Sequence, residues 1–168
     1  MRREKTSWPE YMLKFAQVAA SRASCLRAHV GAVISTSDFR LVATGYNGSP
    51  AGEPECIDIG CDIVDNHCIR TIHAEQNAIA YAARKGVPTD ECLLWVWFDR
   101  LDTDNFQPPA HSSKDLVSLF RTEMLVLPLP LSTFPCNTCK GVIIASGIHD
   151  VIVQEPCNVT TWYSTRYL

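Results

Sequence analysis

"HVGAVISTSDFRLVATGY", residues His29–Tyr46, reads as two β-branched strands joined across the polar turn "TSD". Working back from it, "PEYMLKFAQVAASRA" sets Met12, Phe15, Ala16, Ala19 and Ala23 at helical spacing, with Pro9 suited to a first turn. Working forward, residues 47–66 are rich in Gly, Pro and Asp and have no periodicity, which predicts a long irregular segment that needs a function or a tether. "IHAEQNAIAYAARKG" is a second helix, with Thr71 as N-cap and Gly86 as the C′ residue. "CLLWVWF" is a strand, with Cys92 a small core residue, and "PCNTCKGVIIASG" is a third helix opened by Pro135 and closed by Gly147. "HDVIVQ" is the last clear strand. Between them, "LDTDNFQPPAHSS" is rich in breakers, "KDLVSLFRTE" predicts a short amphipathic helix, and "MLVLPLPL" an extended edge interrupted by prolines. Helix, hairpin, then alternating helix and strand give an α/β layered fold with a mostly parallel later part.

The chain of 168 residues suits one domain, 1–168, with no internal repeat and no linker. Its net charge of −3 argues against a broad polyanion-binding surface, so no nucleic-acid partner is expected, while a local pocket for one phosphate stays open. There is no apolar run long enough to span a bilayer and no signal-type apolar region after Met1, so a cytoplasmic location without a membrane partner is the expectation. Eight cysteines in such a chain favour metal ligation over a secreted disulfide framework.

His73 and Glu75 stand two apart, a spacing that packing on a helix does not explain. Cys136 and Cys139, three apart at another helix start, explain it. Two thiolates and an imidazole make a three-ligand zinc site with one position open for water. Helix N-termini favour the thiolates. Glu75 is then the acid/base that stays off the metal. The pattern H-x-E with P-C-x-x-C is the known mark of zinc nucleobase deaminases. The alternative is a purely structural zinc, which needs no Glu75.

"CLRAHVGAVI", "GYNGSPAG", "CIDIGCDIVDNHCIRTIHAEQNAI" and "FPCNTCKGVIIASGI" together resemble the deoxycytidylate (dCMP) deaminases, in particular their bacterial and phage branch. The resemblance covers roughly residues 8–98 and 130–154. It implies a three-layer α/β/α sandwich of the cytidine-deaminase type around a mixed sheet, assembled as a homo-oligomer, often a hexamer. The activity implied is zinc-dependent hydrolysis of dCMP to dUMP and ammonia, supplying dUMP for dTMP synthesis, under regulation by dCTP with Mg2+ and by dTTP. It also makes Asn47 a nucleotide contact, with Tyr46, Gly48 and Ser49 as weaker ones and Asn77 a candidate for the sugar. Arg84 falls at a position tied to nucleotide response or subunit contacts, or is simply a solvated helix-end charge.

A second cluster, Cys25, Cys56, Cys61, His67 and Cys68, offers four ligands from five for a structural zinc that would staple the irregular segment. Some phage members of the family carry such a metal, at positions matching Cys25 and Cys56. Cys25, Cys56 and Cys68 are the first choices, with His67 preferred to Cys61. Packed free thiols are the alternative.

Three departures from the family stand out. Ala28 occupies a place where a basic residue is usual, which leaves the substrate phosphate to Arg27 or His29. Residues at about 99–124 look inserted. After Val153 the usual further helix and strand are missing. Rival functions are another zinc deaminase, acting on modified dCMP, dCTP or a tRNA adenosine, and a non-enzymatic nucleotide-sensing subunit.

Overall fold

The structure, a computed structural model, describes residues 4–64, 67–100, 135–154 and 160–164. Helix α1 (Trp8–Ala20) opens on Ser7, whose hydroxyl accepts the Glu10 N–H at 3.4 Å, with Pro9 in the first turn. It buries one stripe: Met12, Leu13, Ala16 and Ala20. Ala23, placed on this helix by its spacing, lies beyond its end.

Strands β1 (Ala28–Ser35) and β2 (Leu41–Tyr46) form the expected antiparallel hairpin, turned with Phe39 at a φ of 63°. The segment read as irregular, 47–66, holds a short helix α2 (Cys56–Ile59) and strand β3 (Ile63–Val64), which pairs with β4 (His67–Cys68) just beyond it in a two-stranded ribbon. Elements of two to four residues are too short to leave a hydrophobic period in the sequence. Helix α3 (Ala74–Arg84), strand β5 (Leu93–Arg100), helix α4 (Asn137–Ala145) and strand β6 (Asp150–Gln154) follow. Gly86 and Gly147 close the two helices at φ values of 67° and 76°. The expectations for "LDTDNFQPPAHSS", "KDLVSLFRTE" and "MLVLPLPL" lie outside the described residues, as does most of the segment at 99–124.

The main sheet has the order β2-β1-β5-β6-β7, where β7 (Thr160–Ser164) is a strand that the sequence reading stopped short of. It pairs antiparallel with β6, and β5 with β6 is the parallel pair, so the sheet is mixed and its far edge is not parallel as the alternation predicts. Cys92 sits one residue before β5 and is buried there.

Strands β2 and β5 each run antiparallel to β1 and therefore parallel to each other. The segments β2-α3-β5 and β5-α4-β6 are thus successive crossovers. Ala74, Ala78 and Ala82 of α3 and Cys139 and Ile143 of α4 pack on the sheet face carrying Ala32, Leu94, Val96 and Val151. Met12, Leu13 and Ala16 of α1 cover the other face against Val33, Trp95 and Ile152. These are the three layers of an α/β/α sandwich. Because crossover helices run against their strands, both α3 and α4 begin at the same end of the sheet.

The layers meet at two glycines. A Cβ on Gly31 would stand 1.9 Å from the Ala16 carbonyl oxygen of α1, and one on Gly45 2.3 Å from the Ala74 carbonyl oxygen of α3. Both obstacles are helix backbone, which cannot turn aside. Gly31→Ala is expected to destabilise the chain by about 3 kcal/mol, the upper range for overpacking, read as a lower denaturation midpoint. An unchanged midpoint would show that α1 does not approach β1 so closely. Among the described residues no helix is long and apolar enough to cross a membrane.

Candidate active site and metal centre

The shared helix end gathers the residues that the sequence singles out. Helix α3 starts two residues later than Thr71 predicts. His73 is its N-cap, and the Thr71 hydroxyl instead donates to the Cys68 carbonyl at 3.4 Å. Cys136 is the N-cap of α4. Neither residue makes a side-chain capping bond, so imidazole and thiol are left for each other. His73 Nδ1 lies 3.3 Å from the sulfurs of both Cys136 and Cys139, residues separated from it by more than sixty positions of chain. All three donor atoms fall within 4.8 Å of one another.

The electrostatics follow from this crowding. The hydrogen bond from Cys139, and then that from His73, draw the Cys136 thiol down to about 3. His73 is raised, first by its bond to Cys136. Glu75, 1% exposed, is held above the ordinary carboxylate range by burial, and neither oxygen makes a well-formed hydrogen bond among the described residues, with the Cys139 thiol its neighbour. A buried carboxylate without a well-formed bond is costly and marks a site completed by something else. Two thiols, one imidazole nitrogen and an adjacent buried carboxylate fit a tetrahedral zinc with one open position.

Asn47 and Asn77 both hydrogen-bond to backbone. Asn47 is buried, accepts the Val30 N–H at 2.8 Å and donates to the Ala28 carbonyl at 2.9 Å. Asn77 donates to the Tyr46 carbonyl at 3.0 Å, which ties α3 to the end of β2. Both amides brace backbone at the mouth of the site. Gly48 forms a two-bond bridge with Ile72, the residue before His73. The Ser49 hydroxyl is buried and has no partner among the described residues. Ala28 packs toward the metal face, and strand alternation sets His29 on the opposite face with Gly31 and Val33, which meet α1. Arg84 sits in the last turn of α3, away from its N-terminus.

The second cluster also forms, with one change of membership. Cys56, Cys61 and Cys68 bring their sulfurs within 4.8 Å of one another, Cys56 and Cys68 at 3.6 Å. Cys25 is hydrogen-bonded to Cys61. His67 is exposed and outside the group, so the preference for it over Cys61 is corrected. The reason is the β3/β4 ribbon: adjacent residues of a strand point to opposite faces, and Cys68 takes the inner one. The sequence signal for Cys61 was its spacing from Cys56 across the one-turn α2. Cys25 is drawn down to about 6, chiefly by the Cys61 hydrogen bond, and burial pushes Cys56 up to about 12. Against burial, the backbone N–H groups of Arg70 and Asp62 lower Cys68. Three convergent thiols with a fourth, Cys25, beside Cys61 match the donor chemistry of a four-sulfur zinc site.

A fold of this kind, with H-x-E and P-C-x-x-C meeting at two helix starts, defines a zinc-type nucleobase deaminase domain. Residues 6–155 match the family model for the cytidine and deoxycytidylate deaminase zinc-binding region, and the chain belongs to that family. It is 47% identical over 93 residues to ComE operon protein 2 of Bacillus subtilis (strain 168), covering 55% of this chain and 49% of that protein. It is 34% identical over 166 residues to the deoxycytidylate deaminase of Schizosaccharomyces pombe, covering 94% and 40%. With the deoxycytidylate deaminase of Mycobacterium phage D29 the identity is 28%, covering 90% and 97%. The alignments thus span about half or less of the B. subtilis and S. pombe relatives. The crystal structure of dCMP deaminase from cyanophage S-TIM5 in complex with dCMP and dUMP superposes with a TM-score of 0.59 at 21% identity, covering 91% of this chain and 85% of that one, which confirms the fold.

Proposed function

We propose that the chain catalyses hydrolytic deamination of dCMP to dUMP and ammonia. The observation that carries the reading is the Glu75 carboxylate, without a well-formed hydrogen bond and buried beside the converging donors of His73, Cys136 and Cys139. His73 Nδ1 and the two sulfurs would hold a zinc ion, and a zinc so held supplies a water ionisable near neutral pH. Glu75 would take one proton from the attacking water and deliver it to cytosine N3 as the oxygen joins C4. It would then take the second proton, from the new C4 hydroxyl, and pass it to the exocyclic amine, which leaves as ammonia as the C4 carbonyl forms, so substrate plus water balances product plus ammonia. Burial keeps Glu75 basic enough to accept the proton and bulk water away from it.

Asn47 and Asn77 hold the mouth of the site in shape, and Ser49 offers a hydroxyl to the nucleotide. Cys25, Cys56, Cys61 and Cys68 hold a second, structural zinc. Regulation by dCTP with Mg2+ and by dTTP, and assembly into a homo-oligomer, rest on family membership. The product dUMP would feed synthesis of dTMP.

An ammonia-release assay over dCMP, dCTP, deoxycytidine, 5-substituted dCMP and a tRNA substrate tests the reading. Turnover is expected to be highest on a deoxycytidine monophosphate, with a sigmoidal dependence that dCTP makes hyperbolic and dTTP opposes. A preference for tRNA, or release from none of them, overturns the assignment.

A further inference from the structure

Two routes, one along the chain and one through backbone hydrogen bonds, join the four-thiol cluster to the catalytic ligand His73. The first is the strap Cys68–His73, in which Ile69 N–H donates to Asp62 O at 2.8 Å and Arg70 Nε to Gly60 O at 3.2 Å. The Thr71 hydroxyl donates back to Cys68 O. The second runs from Cys25 through Ser24, whose N–H donates to Asn47 O at 3.2 Å, into Gly48. The routes close on each other where Ile72 N–H donates to Gly48 O at 2.9 Å and Gly48 N–H to Ile72 O at 3.3 Å. Ile72 immediately precedes His73, so the backbone that aims the imidazole is fastened at both sides to the thiols. His73 has no side-chain capping bond of its own to set its direction.

Resting on the proposed metal reading of both clusters, we propose that Cys25, Cys56, Cys61 and Cys68 act as positioning residues for His73. Closure of the four thiols round one divalent cation raises the affinity of the His73–Cys136–Cys139 centre for its own metal. With the cluster open, residues 69–72 regain conformational freedom, and the catalytic metal must order them on binding. With it closed, His73 Nδ1 is already placed. Such a coupling is reciprocal: each occupied centre strengthens the other by the same factor.

The test uses the full chain stripped of metal and titrated with Co2+ against a competing chelator. A four-thiolate centre and a two-thiolate, one-imidazole centre absorb differently and are followed separately, without reference to turnover. Cys61→Ser, at a half-buried thiol, is expected to weaken cobalt binding at the His73 centre about tenfold, within the usual range of coupling between sites. Cys136→Ala, which removes a ligand of the other centre, is expected to weaken the four-thiolate centre by a similar factor. A Cys61→Ser chain with its His73 centre within about twofold of the unaltered protein overturns the coupling. So does a Cys136→Ala chain whose four-thiolate affinity is unchanged, an arm that holds even if Cys61→Ser fails to fold. Coupled cobalt binding without ammonia release from any cytosine substrate would remove the deaminase reading and leave the coupling standing.

Discussion

Glu75→Gln is expected to abolish measurable deamination, lowering turnover at least ~10²-fold, while zinc at His73, Cys136 and Cys139 stays bound. The amide matches the carboxylate in shape and cannot carry a proton from water to N3. Measured ammonia release together with metal content separates this from loss of the metal, and near-normal turnover with zinc retained would refute the mechanism. The same substitution should stabilise the metal-free chain near neutral pH. Burial raises Glu75 in the folded state, so the folded chain binds more protons than the unfolded one between the ordinary carboxylate pKa and the raised value. Stability contributed by this residue therefore falls as pH rises through that window, and Gln is free of the loss. A midpoint-against-pH series for the two metal-free proteins shows them converging at acid pH and separating above it.

The second large effect concerns Cys56, a wholly buried thiol in the four-sulfur cluster. Cys56→Ala is expected to lower the thermal midpoint by on the order of 10 °C, which corresponds to losing about 3–5 kcal/mol in a chain of this size. Amide exchange should accelerate across residues 47–72 while α1 and the hairpin stay protected. Elemental analysis should fall from two zinc ions per chain to one. One zinc per chain in the unaltered protein, with an unchanged midpoint for Cys56→Ala, would show that these thiols are only packed together.

Much of this was legible in residue types and spacing. The hairpin, α1, α3 and α4 announce themselves through period and punctuation, and His73, Glu75, Cys136 and Cys139 through a spacing that packing does not require. What was not legible depends on atoms brought together by the fold. That Asn47 braces the start of β1 with both ends of its amide depends on backbone seventeen and nineteen positions away. Cys61 displaces His67 because a two-residue strand fixes which neighbour turns inward, and no window of sequence that short carries a period. The start of α3 moved from Thr71 to His73 because the hydroxyl found a carbonyl behind it. Strand β7 escaped because five residues, Thr160–Ser164, without clean alternation, carry little signal apart from the neighbour they pair with.

The two crossovers that set α3 and α4 starting at one end of the sheet also impose an order of events on the newborn chain. Cys25, Cys56, Cys61 and Cys68 have all left the ribosome before Cys136 is made, whereas His73 must wait for a partner 63 residues downstream. Emerging thiols can therefore meet while translation continues, but the His73 centre assembles only after β5 and α4 have docked on the sheet. A chain truncated ahead of Pro135 would carry one complete set of sulfurs and an unfinished pocket, a natural stalled form for watching the halves mature in sequence.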